Sequence, residues 1–243
     1  MSSLIQRADT AANAQEDRHG PLPALLLVLT AVTGLVDAIS YLQLGHVFVA
    51  NMTGNVIFLG FAAAGAAGFS AAASLVATGA FLAGALVGGR LGSRVGRHRG
   101  RLTAYAMYIE FILLVAALIF SLAVADTSTG AASFFLIGLL AIAMGLQNAA
   151  ARRLAVPDLT TTVLTLTLTG LAADSRLAGG DGPRPMRRLA ATATMCLGAA
   201  VGALFVLHFG TTSVLVLTAA PLAFNVVRAY RFSTSSEPWT VGK

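Results

Sequence analysis

LPALLLVLTAVTGLVDAISYLQLGHVFVANMTGN, residues 22–55, decides how the chain is read. Its first part is an apolar run, Leu22–Leu44, broken by one carboxylate, Asp37. The polar knot Asn51-Met52-Thr53-Gly54-Asn55 follows within one helical length. An ionised carboxylate at bilayer depth costs about 2.5–3.5 kcal/mol on insertion scales, so it has a partner or faces a water-filled cavity. Together the two features point to a polar site inside a membrane protein.

The rest of the chain has the same character. Hydrophobic residues make up 56% of it and charged residues 11%, against roughly 25% charged in soluble domains. Apolar runs recur at 22–44, 56–67, 71–89, 102–125, 131–146, 189–207 and 213–227. Most approach the roughly 20 residues that span the hydrocarbon core. A soluble helical bundle would need charged helix faces, and these runs carry none. The expected fold is an all-α, polytopic helical membrane protein. Residues 1–20 hold Arg7, Asp9, Glu16, Asp17 and Arg18 without an apolar segment or cleavage site. They read as a disordered cytoplasmic tail, and no signal peptide is expected. Cys196 is the single cysteine, which rules out an intramolecular disulfide or a cysteine metal cluster.

The net charge of +6 does not signal nucleic acid, because the basic residues fall in loops between spans and act there as topology signals. If 47–67 and 156–173 both crossed, there would be eight spans. Arg90, Arg94, Arg97, Arg99, Arg101, Arg152 and Arg153 would then lie outside. If those segments enter and return on one side, six spans remain and all sixteen basic residues share the cytoplasmic side. The positive-inside bias selects six. Both segments also make poor spans: one opens on Asn51, Thr53, Gly54 and Asn55, the other on Pro157-Asp158 with Thr160, Thr161 and Thr162. The expected organisation is one transmembrane domain over 21–232 with a cytoplasmic tail at 233–243. The protein is expected in the bacterial inner (plasma) membrane, with both termini cytoplasmic.

The two halves, about 21–125 and 131–230, overlay with an offset of about 111–115 residues. Gly34–Ala38 then faces Gly145–Ala149, Gly84 and Gly88 face Gly198 and Gly202, and Glu110 faces Asn225. Three spans per half would force the second copy to enter the membrane upside down. Inverted repeats with broken helices near the midplane are a recurring plan of secondary transporters.

The candidate site residues follow from this plan. Thr30, Thr33, Asp37 and Tyr41 share one helix face. Asp37 is either a coupling carboxylate facing a cavity or a cap for the free N–H groups of the broken segment, with Asn51 or Asn55 beside it. Glu110 is the second coupling candidate, or the partner of an arginine from the central loop. Gln147 and Asn148 suit substrate contact or hydrogen bonding between helices. Thr160, Thr161 and Thr162 open a threonine series that alternates with leucine, read as helix because Thr hydroxyls return to the i−4 carbonyl in lipid. Gly84, Gly88 and Gly92, and Gly198 with Gly202, are helix-packing positions at four-residue spacing.

Enzymatic readings find no support. The Gly88–Gly100 stretch follows a membrane helix and lacks a terminal Lys-Ser/Thr, so it is neither a dinucleotide fingerprint nor a P-loop. His19, His46, His98 and His208 are dispersed without metal-ligand spacing. No nucleophile–base pair is present, and no metal or cofactor is expected.

Gly34–Tyr41, Val47–Asn55, Met144–Asn148 with Arg152-Arg153, and Thr161–Asp174 together resemble the YoaK-like family of uncharacterised bacterial integral membrane proteins. The likeness covers roughly residues 22–232 and implies an integral inner-membrane protein of about six spans. It implies no activity, substrate or catalytic residue. Gly89–Arg99 also resembles the loop between the second and third helices of major facilitator transporters, Gly-x-Leu-x-Asp-Arg-x-Gly-Arg, with Ser93 in place of the acidic residue. The expected function is a small secondary transporter or permease whose site lies at the two broken segments. The alternative is a membrane scaffold or assembly factor in which the same polar residues only lock helices. Expected partners are the lipid bilayer, a small solute or ion, and a second copy in a homodimer.

Overall fold

A computed structural model describes residues 18–159, 164–180 and 185–241. Thr160, Thr161, Thr162 and nearly all of the expected N-terminal tail lie outside those residues. Among the described residues seven α-helices follow in order: α1 (Leu22–Gln43), α2 (Met52–Ala63), α3 (Ala71–Val95), α4 (Arg99–Ala123), α5 (Gly130–Leu154), α6 (Leu164–Ala173) and α7 (Pro185–Phe232). No strand element occurs among the described residues. In hydrocarbon every backbone N–H and C=O must be satisfied within the chain, so apolar runs of this length become helices. Their ends carry ordinary signals. The Ser70 hydroxyl caps α3 by accepting from the Ala73 amide, and the His98 ring caps α4 by accepting from the Arg101 amide.

Among the described residues five helices are long and apolar enough to cross a membrane, and α7 counts among them with 48 residues. It is broken at Gly210, where φ is 78° and ψ is 178°, a conformation that glycine adopts readily and L side chains do not. The Ser213 hydroxyl donates to the Phe205 carbonyl across 3.3 Å. Eight residues of straight helix would hold them about 12 Å apart. The chain therefore turns back at Gly210, and the limbs 185–209 and 211–232 are separate crossings. That makes six crossings with two short apolar helices, α2 and α6, between them, the threading expected from the basic residues.

One end of the bundle, here called basal, gathers both termini. The Arg99 guanidinium donates to the carbonyls of Arg18 (3.2 Å), Trp239 (3.3 Å) and Leu154 (2.7 Å), and meets His19 Nδ1 at 3.0 Å. The chain after α7 folds under this end, where Trp239 is buried and stands edge-on to Phe232. At the distal end the Ser133 hydroxyl donates to the Leu44 carbonyl (2.8 Å), and Ser121 and Thr212 share a hydrogen bond of 2.5 Å.

Two close helix pairs carry most of the packing. Limb 185–209 runs parallel to α1: Gly34 lies on Met195 and Ala199, Gly198 on Ala31, and Gly202 on Leu35 and Ala38. In the same way α3 runs parallel to α5: Gly145 lies on Phe81 and Ala85, Gly84 on Ile142, and Gly88 on Leu146 and Ala149. Small residues let these backbones approach closely enough for dispersion and C–H contacts to hold them. The remaining glycine of the expected ridge, Gly92, packs against the Arg153 side chain. Helix α4 joins the pairs, antiparallel to α5 and to limb 211–232, with Gly100 against Phe232. The core is built mainly from α1 and α5, where Leu25, Ile39, Leu136, Leu140 and Met144 are fully enclosed. Leu82, Leu86, Leu204 and Leu207 face outward, a pattern that suits acyl chains rather than water.

Candidate functional site

After α1 the chain does not run straight to α3. Leu44 marks the distal end, yet Val49 and Ala50 turn back into the bundle and present their amides to one oxygen of Asp37, at 3.1 and 3.0 Å. Seven residues of helix separate Asp37 from Leu44, so the segment dips about 10 Å before α2 carries it out again. The carboxylate sits just ahead of the N-terminus of α2, where N–H groups lack helical partners and negative charge is favoured.

Asn55 holds the same dip from inside. Its side-chain oxygen accepts from the Phe48 amide at 2.8 Å, and its nitrogen donates to the Phe48 carbonyl at 2.5 Å. It is fully buried, whereas Asn51 and Thr53 are exposed. Tyr41 stacks on Phe48 at 5.1 Å and meets His46 edge-on at 5.4 Å. Phe58 and Phe69 extend this aromatic cluster at the distal end.

The basal re-entry is held by charge. Arg188 donates to Asp158 at 2.9 Å, bonds Asp174 at 2.8 Å, and reaches the Gly170 carbonyl at the end of α6. Thus α2 and α6 belong to opposite ends of the bundle, and the expected joint site between the two broken segments is divided between them.

Polar residues also stand in the apolar middle. The Thr33 hydroxyl donates to the Leu29 carbonyl and accepts from the Gln147 amide at 2.9 Å, which ties α1 to α5. Asn148 donates back to the Met144 carbonyl at 2.8 Å. Asn225 donates to the Leu25 carbonyl at 3.0 Å. Glu110 is fully buried, and neither of its oxygens has a hydrogen-bond partner among the described residues. The arginine pairing considered for it is not formed. The amide oxygens of Gln147 and Asn225 are likewise buried without a donor.

Arg99 and Arg188 organise the basal end, yet sequence reading treated both as topology signals. Asp158 and Asp174, which flank the second broken segment, were the visible hint for Arg188. Among the described residues no group of three His, Cys, Asp or Glu could hold a metal ion.

No solved structure matches the chain. It is 38% identical over 156 residues to the UPF0700 transmembrane protein YoaK of Bacillus subtilis (strain 168). That alignment takes in 62% of this chain and 65% of the relative, just under two thirds of its length. Residues 25–227 match the family described as "Protein of unknown function (DUF1275)". This match spans most of the chain and all six crossings in whole or part, so the protein belongs to the DUF1275 family of multi-pass membrane proteins.

Proposed function

We propose that the protein is a small secondary transporter or permease of the bacterial plasma membrane, built from two inverted halves, about 21–125 and 131–230. The basal end is cytoplasmic in this reading, because it collects Arg94, Arg97, Arg99, Arg152, Arg153 and Arg188. One observation carries it. The offset that aligns the halves in sequence also turns three glycine contacts of one helix pair into three of the other. Gly34 on Met195 and Ala199 becomes Gly145 on Phe81 and Ala85 with the order of halves reversed. Gly198 on Ala31 becomes Gly84 on Ile142, and Gly202 on Leu35 and Ala38 becomes Gly88 on Leu146 and Ala149. Each half lends its second span to the other half's first span, with a re-entrant helix at either face. Rocking of one such half against the other exposes a central site alternately to the two sides.

A scaffold is the second reading, and it draws on Asp37, Asn55 and Arg188, which spend their hydrogen bonds on holding the two broken segments in place. Spin labels separate the two without knowledge of a substrate. One pair replaces Arg18 and Arg152 at the basal end, and a second replaces Leu42 and Ala131 at the distal end, in nanodiscs over a range of pH and sodium concentration. A transporter gives a second population in which the basal distance lengthens while the distal one shortens. A single unchanging distance at both ends leaves only the scaffold.

A further inference from the structure

We propose that Glu110, Gln147 and Asn225 form a binding site for one monovalent cation, Na⁺ or a proton, in the middle of the bundle. The inference supplies a coupling ion for the transport reading and rests on that reading for its role, though not for its chemistry.

The chemistry is an imbalance. Four buried oxygens on three helices lack a donor: both of Glu110, one of Gln147 and one of Asn225. No buried side-chain nitrogen among the described residues is left without an acceptor, and the buried Ser74 hydroxyl, also without a partner, stands at the distal start of α3. The Gln147 and Asn225 nitrogens are committed to Thr33 and to Leu25, which fixes both amides with their oxygens left over. Buried acceptors in such excess require a donor or a cation, and a carboxylate requires it most. Hard oxygen donors without sulfur or imidazole suit H⁺ or an alkali cation rather than a transition metal. One carboxylate against two neutral amides balances one positive charge, and a divalent ion would leave a net charge buried.

The placement agrees. The basal ends of α4, α5 and limb 211–232 are aligned by the Arg99–Leu154 bond and the Gly100–Phe232 contact. At about 1.5 Å per residue, Glu110 stands about 16 Å above that end, and Gln147 and Asn225 about 10 Å. The three thus bracket a stretch about 6–12 Å deep in the middle of the bundle, with the Asn225 and Gln147 amides held to Leu25 and Thr33, two turns apart on α1. Glu110 and Asn225 also occupy offset-related positions on α4 and the last limb, where the axis relating the halves would pass.

Among the described residues no other ionisable group answers the carboxylate. On α4 itself Tyr105 and Tyr108 are exposed. Arg90 and Arg94 on α3, and Arg152 and Arg153 on α5, are exposed near the basal end. Arg228, Tyr230 and Arg231 close the last limb, and Glu237 lies beyond it.

Melting of purified protein in mild detergent tests the site, in NaCl against choline chloride at constant ionic strength, from pH 5 to 9. Wild type should gain a few degrees in Tm either with sodium or with falling pH, because a ligand that binds only the folded state stabilises it. E110Q should lose that response, and E110D should keep it at higher sodium or lower pH. Infrared difference spectra read occupancy apart from stability: wild type should show a carboxyl band change on sodium exchange or acidification that E110Q lacks. If only pH acts, the ion is a proton; if sodium acts at fixed pH, it is Na⁺. A wild type indifferent to both, or an E110Q protein that responds as wild type does, overturns the site. If E110Q does not fold, E110D decides by the same readouts, and an unshifted response in it overturns the site. A cation response with immobile spin-label distances would sink the transport reading and leave the site standing.

Discussion

Gly34 lies so close to Met195 that a Cβ at position 34 would stand 2.5 Å from the Met195 carbonyl oxygen. A backbone carbonyl cannot swing aside as a side-chain tip can, so even one added carbon must move a whole helix. Its offset partner Gly145 meets the Phe81 carbonyl in the same way. G34L, G145L and G88L are therefore expected to lower the stability of the protomer itself, each by at least about 1–3 kcal/mol, the usual cost of overpacking. Thermal melts in mild detergent check this. If G88L melted like wild type and merely ran as a monomer, the ridge would serve the expected homodimer instead.

Asp37 gives two amides one acceptor oxygen. D37N keeps an oxygen there and should fold with little loss. D37L strands two buried N–H groups, at about 1–3 kcal/mol each, and should free the segment before α2. Hydrogen exchange at Val49 and Ala50 reports the difference. If D37N abolished the sodium or pH response while Glu110 was intact, coupling would belong to Asp37.

Arg99 gathers four segments at the basal end. R99A should release 233–241 to proteolysis and cost about 1.5–3 kcal/mol, the range for hydrogen bonds to a charged group. R99K keeps the charge but cannot reach three carbonyls at once, and should recover only part of the protection. A tail equally protected in R99A would mean that Trp239 packing alone holds it.

In the distal turn, the Ser128 hydroxyl (2.6 Å) and amide (2.8 Å) and the Thr129 hydroxyl (3.2 Å) all donate to Asp126. These bonds, the Ser128 hydroxyl first, hold its carboxyl below the usual value of 3.8. A lowered folded value adds stability that is complete above the unfolded pKa and is lost as pH falls through the folded one. The Tm gap between wild type and D126A should thus be present at neutral pH and close in acid below the ordinary carboxylate range. A gap that persists in strong acid would exclude the carboxylate as its cause.

The sidedness proposed here is open to labelling. With Cys196 replaced, cysteines at 97, 180 and 236 should resist an impermeant thiol reagent in intact cells, and one at 128 should react. Reaction at 97 without lysis would refute a cytoplasmic basal end.

Much of the fold could be read from residue order alone, because hydrocarbon allows helical spans little alternative and the arginines mark one side. The glycines were legible for the same reason, since only close packing explains them at four-residue spacing. Asp37 could be read as a cap or a coupling group, and sequence could not choose because its partners are amides, which look alike in every residue. Glu110 looked open to an arginine at helical distance, but the loop arginines are exposed or engaged in main-chain contacts. The roles of Arg99 and Arg188 were hidden because a topology signal and a structural clasp use the same side chain. The break at Gly210 was legible too, because it falls between the apolar runs 189–207 and 213–227.

The pairing of α1 with limb 185–209 bears on how the protein is made. The first span enters the membrane while its main packing partner is still untranslated, so its polar residues must be tolerated without that partner. They are provided for locally. Thr30 and Thr33 return their hydroxyls to carbonyls one turn back, and Asp37 finds its two amides a dozen residues further along the chain. The nascent first span and its dipping segment thus form a unit that the insertion machinery can release into lipid before the fifth crossing exists.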